Sequence, residues 1–133
     1  GVLVPRYNAV TAGYDMVPIS DYQAEMAPGR FGIVEPLASL AAAPPERLAR
    51  ADVTWAVPGV AFGEDGHRLG HGRGYYDRLL SGIHGCKVGV AYDWQILPRL
   101  PHTPRDVRMD LIVSEARTLR LVCSQPTAKG PPR

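Results

Sequence analysis

The chain has 133 residues, 45% of them hydrophobic and 21% charged, which suits one soluble domain with a modest core. Its formal net charge is +2 with no long basic run, so a nucleic-acid partner is not expected, although a local basic pocket facing an anion remains compatible. No stretch approaches the ~18 consecutive apolar residues of a membrane span, so no membrane partner is expected either.

In chain order, Val2-Leu3-Val4 reads as a buried strand stopped by Pro5, and Tyr14 to Ile19 as a second strand that Pro18 confines to an edge or an early end. Residues 20–45 form a long connector with turn and breaker signals at Pro28-Gly29 and Pro44-Pro45. Pro45-Glu46-Arg47-Leu48 starts a short helix, proline being tolerated in a first turn. Asp52 to Val57 is a strongly apolar strand expected at the centre of a sheet, and Lys87 to Tyr92 is another. Asp93 to Leu97 reads as a short helix or turn, and Met109 to Ser114 and Leu119 to Val122 close the set. Strands separated by helical or irregular crossovers imply a mainly parallel α/β sheet covered on both faces. Cys86 and Cys123 have no metal-ligand spacing, and reduced thiols in a cytoplasmic protein are the expectation.

The most informative stretch is residues 58–78, Pro-Gly-Val-Ala-Phe-Gly-Glu-Asp-Gly-His-Arg-Leu-Gly-His-Gly-Arg-Gly-Tyr-Tyr-Asp-Arg. It follows the apolar run Val53 to Val57 and enters an i, i+3, i+4 pattern at Tyr75, Tyr76, Leu79, Leu80 and Ile83. A strand, a glycine-rich loop and a helix in that order gather backbone N–H groups at one spot, which suits a phosphate. Arg68, His71, Arg73 and Arg78 supply cations, and Asp77 stands where a carboxylate holds a divalent metal against phosphate oxygens. The alternative is a long turn with a solvated basic rim. His67 and His71 are four apart, but they flank Gly70 in a loop, which disfavours a zinc pair. His84 and His102 read as surface or turn residues.

The same residues resemble the 5-formyltetrahydrofolate cyclo-ligase (5,10-methenyltetrahydrofolate synthetase) family. Pro58-Gly59-Val60-Ala61-Phe62, Asp65-Gly66, Arg68-Leu69-Gly70 and Gly72-Arg73-Gly74-Tyr75-Tyr76-Asp77-Arg78 carry the likeness. Pro5-Arg6-Tyr7, Gly32-Ile33-Val34-Glu35-Pro36, Gly89-Val90-Ala91-Tyr92 and Asp106-Val107-Arg108-Met109-Asp110 extend it from about Val2 to Glu115. The resemblance implies a three-layer α/β/α sandwich of the sugar-phosphate isomerase and CoA-transferase type. It also implies a single domain over residues 1–123 that lacks the family's N-terminal section. Residues 124–133, with Pro126, Gly130, Pro131 and Pro132 and no apolar periodicity, read as a flexible tail without function.

For activity, the resemblance implies ATP- and Mg2+-dependent cyclisation of 5-formyltetrahydrofolate to 5,10-methenyltetrahydrofolate, with release of ADP and phosphate. Amide oxygen is a poor leaving group; phosphorylation of the formyl oxygen turns it into phosphate, which departs when N10 adds. Such a reaction needs electrostatic clamping of the transferred group more than covalent chemistry. Carried over by position, Arg68, Leu69, Gly70, His71, Gly72, Arg73, Gly74, Tyr75 and Tyr76 match the ATP phosphate loop, with Arg73 and Tyr76 as catalytic candidates. Asp77 and Asp106 match the two magnesium carboxylates. Tyr7, Tyr14 and Phe31 match the folate pocket, where aromatic faces suit a pterin, with core packing as the alternative for each. Gln95 reads equally as a pocket contact or a helix-start hydrogen bond. His71 departs from the family's usual Arg or Lys; an imidazole is mostly neutral above its ordinary value of about 6.5, though adjacent phosphates raise it. A monomer is expected when the chain is complete, self-association and low activity when it is truncated. The alternative reading is a non-catalytic homologue that binds nucleotide, folate or a protein partner.

Overall fold

The computed structural model describes residues 1–121; Cys123 and the tail expected at 124–133 lie outside the described residues. The core sheet has four strands in the order β11-β10-β8-β5, where β5 is Thr54–Val57, β8 Cys86–Val90, β10 Leu111–Val113 and β11 Thr118–Arg120. β5 and β10 both run parallel to β8, and only β11 is antiparallel, so the fold is α/β with a mainly parallel core sheet. Gly89 sits at its middle, paired with Val57 on one side and Ile112 on the other. Those two side chains and the ring of Phe62 are fully buried. A Cβ on Gly89 would lie 2.6 Å from Phe62 Cε1, so the absent side chain is what lets the Phe62 ring lie on the sheet.

β5 lies at an end of this sheet rather than at its centre. Its burial alternates, with Trp55 and Val57 inward and Thr54 and Ala56 exposed, which is a strand with one buried face. The apolar Ala56 made the run look buried on both faces; β8 holds the inner position instead. A second, three-stranded sheet pairs β6 (Ala61–Gly63) antiparallel with β7 (Arg68–Leu69) and parallel with β9 (Ile96–Leu97). Gln95 ties it to the preceding segment, its Nε2 donating to Gly59 O and Val60 O at 3.1 Å each.

The first strand does not stop at Pro5. β1 (Val2–Asn8) and β2 (Gly13–Ile19) form a hairpin in which Pro5 faces Met16 and Leu3 faces Pro18. Both pairs share one parity of the ladder, the parity whose backbone groups point outward. Tyr7 N–H reaches Glu35 Oε1 from the same parity at 3.4 Å, and Met16 O accepts from Ala43 N at 2.7 Å. The prolines therefore remove no hydrogen bond from inside the hairpin.

The connector at 20–45 is more structured than its sequence shows. It holds α1 (Tyr22–Glu25), capped by Asp21, whose carboxylate accepts from Gln23 N and Ala24 N. A small hairpin of β3 (Met26–Pro28) and β4 (Val34–Pro36) follows. α2 (Pro45–Leu48) begins at its proline as expected, and α3 (Tyr75–Leu80) follows the glycine-rich loop. The helices of the described residues are thus short, and α3 buries Leu80 in the core cluster with Trp55, Met109 and Ile112. Among the described residues no helix is long and apolar enough to cross a membrane.

Candidate functional site

Between β5 and α3 the chain folds into the β6–β7 hairpin and then an open turn over residues 70–74. Arg68, on β7, donates from Nη1 to Pro58 O at 3.2 Å, and its guanidinium lies over the Tyr76 ring, 5.1 Å from the centroid. Its Nε is buried with no hydrogen-bond partner, an unpaired donor beside the turn. A Cβ on Gly70 would come within 2.9 Å of Arg68 Nη1, so glycine there leaves room for the guanidinium. Gly74 caps α3 in the left-handed region, φ 67°, where a larger residue would be strained. With six residues, α3 has little macrodipole of its own, so the anion affinity of this wall rests on the turn and the arginines.

These residues line a cavity of about 760 Å³. Every residue expected in the phosphate loop, from Arg68 through Tyr76, lines it, as do the carboxylate residues Asp77 and Asp106 and the aromatic residues Tyr14 and Phe31. Tyr7 does not; it stands behind Tyr14, edge-on at 5.9 Å between ring centroids. Tyr14 is the hub of an aromatic cluster, 5.6 Å from Tyr75 and 6.3 Å from Tyr76. Arg78 turns away to the Tyr75 ring. Pro58, Gly59 and Pro101 complete the lining; the first two opened the motif in sequence without marking themselves as lining.

Several charges here are fixed by their neighbours. Asp106 accepts from Thr103 N at 2.8 Å and Thr103 Oγ1 at 3.1 Å, and the Thr103 backbone bond is the main cause holding its carboxyl below the usual range. Asp106 is therefore an oriented anion at neutral pH. The Asp77 carboxylate makes no hydrogen bond or ion pair among the described residues. Burial, and then the neighbouring Tyr14, push the Tyr76 phenol up, so it stays protonated and can donate. Arg73 is raised chiefly by its hydrogen bond to Tyr75, with weaker contributions from Tyr7 and Tyr14, which places it where the glycine wall meets the aromatic wall.

Asp65, His67 and His102 also converge, with ligand-type atoms within 4.8 Å of one another. His67 Nδ1 lies 3.0 Å from Asp65 Oδ2 but off the line of a good hydrogen bond. The two imidazoles stack at 3.7 Å with planes 12° apart, so no point within bonding reach lies in both ring planes. A bound metal lies in the plane of its imidazole, and the stacked pair as arranged does not chelate one. His67 thus pairs with Asp65 and His102 rather than with His71.

A larger cavity, about 1150 Å³, opens on the other side of Tyr76 between β1, α2 and β5. Its charged residues include Arg50 and Asp52, which neutralise each other at 2.6 Å, and no glycine-rich turn borders it. The smaller cavity is the candidate site.

A profile described as the 5-formyltetrahydrofolate cyclo-ligase family matches residues 1–115. A probable 5-formyltetrahydrofolate cyclo-ligase of Caenorhabditis elegans is 32% identical over 127 residues, covering 89% of this chain and 61% of that protein. The 5-formyltetrahydrofolate cyclo-ligase of Escherichia coli K12 is 37% identical over 119 residues, covering 87% and 64%. Among solved structures, Aquifex aeolicus 5,10-methenyltetrahydrofolate synthetase matches with TM-score 0.73 and 39% identity, over 92% of this chain and 59% of that one. The chain spans less than two thirds of the length of each of these relatives.

Proposed function

The chain belongs to the 5-formyltetrahydrofolate cyclo-ligase family, and on that premise we propose that it serves the ATP- and Mg2+-dependent closure of 5-formyltetrahydrofolate to 5,10-methenyltetrahydrofolate. The observation that carries this reading is one cavity with three kinds of lining: an arginine- and glycine-rich turn, two carboxylate residues and an aromatic wall. The Arg68 guanidinium on the lining and the open space beside Gly72 and Gly74, where a Cβ would meet nothing within 4 Å, fit a phosphate chain. Asp77, uncommitted among the described residues, and Asp106, pre-oriented by Thr103, fit a magnesium ion that keeps several waters and takes few protein carboxylates. When bound, the ion neutralises charge on the transferring phosphoryl group.

In this reading Arg68 and Arg73 hold the triphosphate, and the Tyr76 hydroxyl, kept protonated by burial, donates toward it. Tyr14 and Phe31 hold the pterin so that the formyl oxygen meets the γ-phosphoryl group. The formyl oxygen takes the phosphoryl group from ATP, N10 adds to the formyl carbon, and the carbon–oxygen bond breaks with phosphate leaving. The protein supplies position and charge, and no covalent intermediate on the chain is needed.

The test follows the methenyl product by absorbance, with ATP and magnesium present or withheld, in the chain and in Asp77→Asn. Turnover that needs both, and falls with Asp77→Asn, is expected. In calorimetry Arg73→Ala should weaken nucleotide binding by about 1.5–3 kcal/mol, the size of a charge-assisted hydrogen bond. Binding of nucleotide and folate without turnover would favour a second reading, a non-catalytic binder.

A further inference from the structure

The tip of the β3–β4 hairpin overhangs the aromatic wall. Gly29 N–H closes it onto Ile33 O at 2.7 Å, and Arg30 and Phe31 project from the turn. Phe31 adopts φ 61°, ψ 22°, a left-handed conformation that a bulky residue rarely takes, and its ring lines the cavity while 85% exposed. The Arg30 guanidinium is held between two rings, 5.2 Å from the Tyr7 centroid and 5.0 Å from that of Phe31. Among the described residues it makes no ion pair and no hydrogen bond. The nearby carboxylate of Glu35 is engaged by Tyr7 N–H instead. Aromatic faces fix the position of a guanidinium without occupying its N–H donors, so Arg30 is an oriented cation at the cavity rim with its fork open.

Resting on the folate reading above, we infer that Arg30 is a specificity-determining residue that pairs with the carboxylates of the substrate's glutamate tail. A pterin held by Tyr14 and Phe31 leaves the acidic end of the same molecule to run outward over the rim, and the rim carries a positive charge held against Phe31 and Tyr7. The planar fork of arginine matches a carboxylate in two parallel hydrogen bonds. The phosphates of ATP are the competing anion, and the test separates the two.

Calorimetry compares 5-formyltetrahydrofolate with the primary amide of 5-formyltetrahydropteroic acid, which lacks the glutamate and carries no carboxylate, in the unsubstituted chain, Arg30→Gln and Arg30→Lys, with ATP titrated separately. Arg30→Gln should weaken the glutamate-bearing ligand roughly three- to fivefold and change the tail-less one less than about twofold, the range expected of a rim charge pair. Arg30→Lys should keep part of the preference, and added salt should shrink it in the unsubstituted chain. An equal loss for both folates, no loss for either, or a comparable loss for ATP would overturn the assignment and leave the folate reading standing. Failure of the unsubstituted chain to bind either folate would remove that reading and the assignment together. Circular dichroism of Arg30→Gln guards against misfolding; if that variant does not fold, Arg30→Lys and the salt series decide the assignment by the same criteria.

Discussion

The two walls of the cavity are built on opposite plans. The wall of residues 58–77 comes from one continuous stretch in which side chains have been removed to admit other groups. The Phe62 ring is wedged between Gly59 and Gly89, and the Arg68 guanidinium fills the space a Gly70 side chain would take. The aromatic wall is assembled from separate hairpins, with Tyr14 on β2 and Phe31 on the β3–β4 tip. It keeps large rings in place and tolerates a strained backbone at Phe31 to do so. The first wall has no room for added atoms at Gly59 and Gly70; the second carries atoms whose removal the fold would accept.

Substitutions can break or sharpen this contrast. Phe62→Ala removes the fully buried ring on which the glycine wall rests and should cost about 3–5 kcal/mol in denaturant unfolding. A loss under about 1 kcal/mol would mean the wall does not depend on that ring. Gly59→Ala puts a methyl 2.9 Å from Phe62 Cζ and 3.1 Å from Arg68 Cγ. It should destabilise by about 1–3 kcal/mol and weaken nucleotide binding with it. Phe31→Gly should do the reverse on the other wall. Relief of the left-handed strain raises stability by about 1 kcal/mol, while folate affinity falls and nucleotide affinity does not; a loss of stability would show that the ring is structural. The smallest effect belongs to Asp106. Its folded value lies below the ordinary 3.8, so its contribution is present above that pH and lost as pH falls through the depressed value. Asp106→Asn should flatten the acid limb of a stability-versus-pH curve below about pH 4, and an unchanged limb would mean the Thr103 bonds contribute nothing.

The difference between the walls is also the difference in what the sequence disclosed. Arg68 to Asp77 is contiguous, and glycines beside cations have a local meaning, so that wall is readable before any fold is known. Asp106 was legible only through the resemblance, because nothing local links it to Asp77 29 positions earlier. Tyr14 carries no local mark that sets it above Tyr7 or Phe31, yet it is the hub, since ring–ring contacts depend on hairpin register. Arg30 gave no signal, being one arginine in a connector whose three-residue strands are too short for a period to show. Pro18 marked an edge strand as read, but Pro5 misled, because proline forbids only an inward N–H and which way a strand position faces is a tertiary fact.

Those two prolines have an effect beyond the hairpin's own register. A β-ribbon normally offers its outer rows of N–H and C=O groups to any extended peptide, the route by which strands recruit strangers and fibrils seed. Here each outer row lacks a donor, at Pro5 on one side and Pro18 on the other. Glu35 and Ala43 occupy neighbouring positions of those rows. An incoming strand would find gaps and occupied sites where it needs a continuous ladder, so the ribbon beneath the aromatic wall is closed to templated growth.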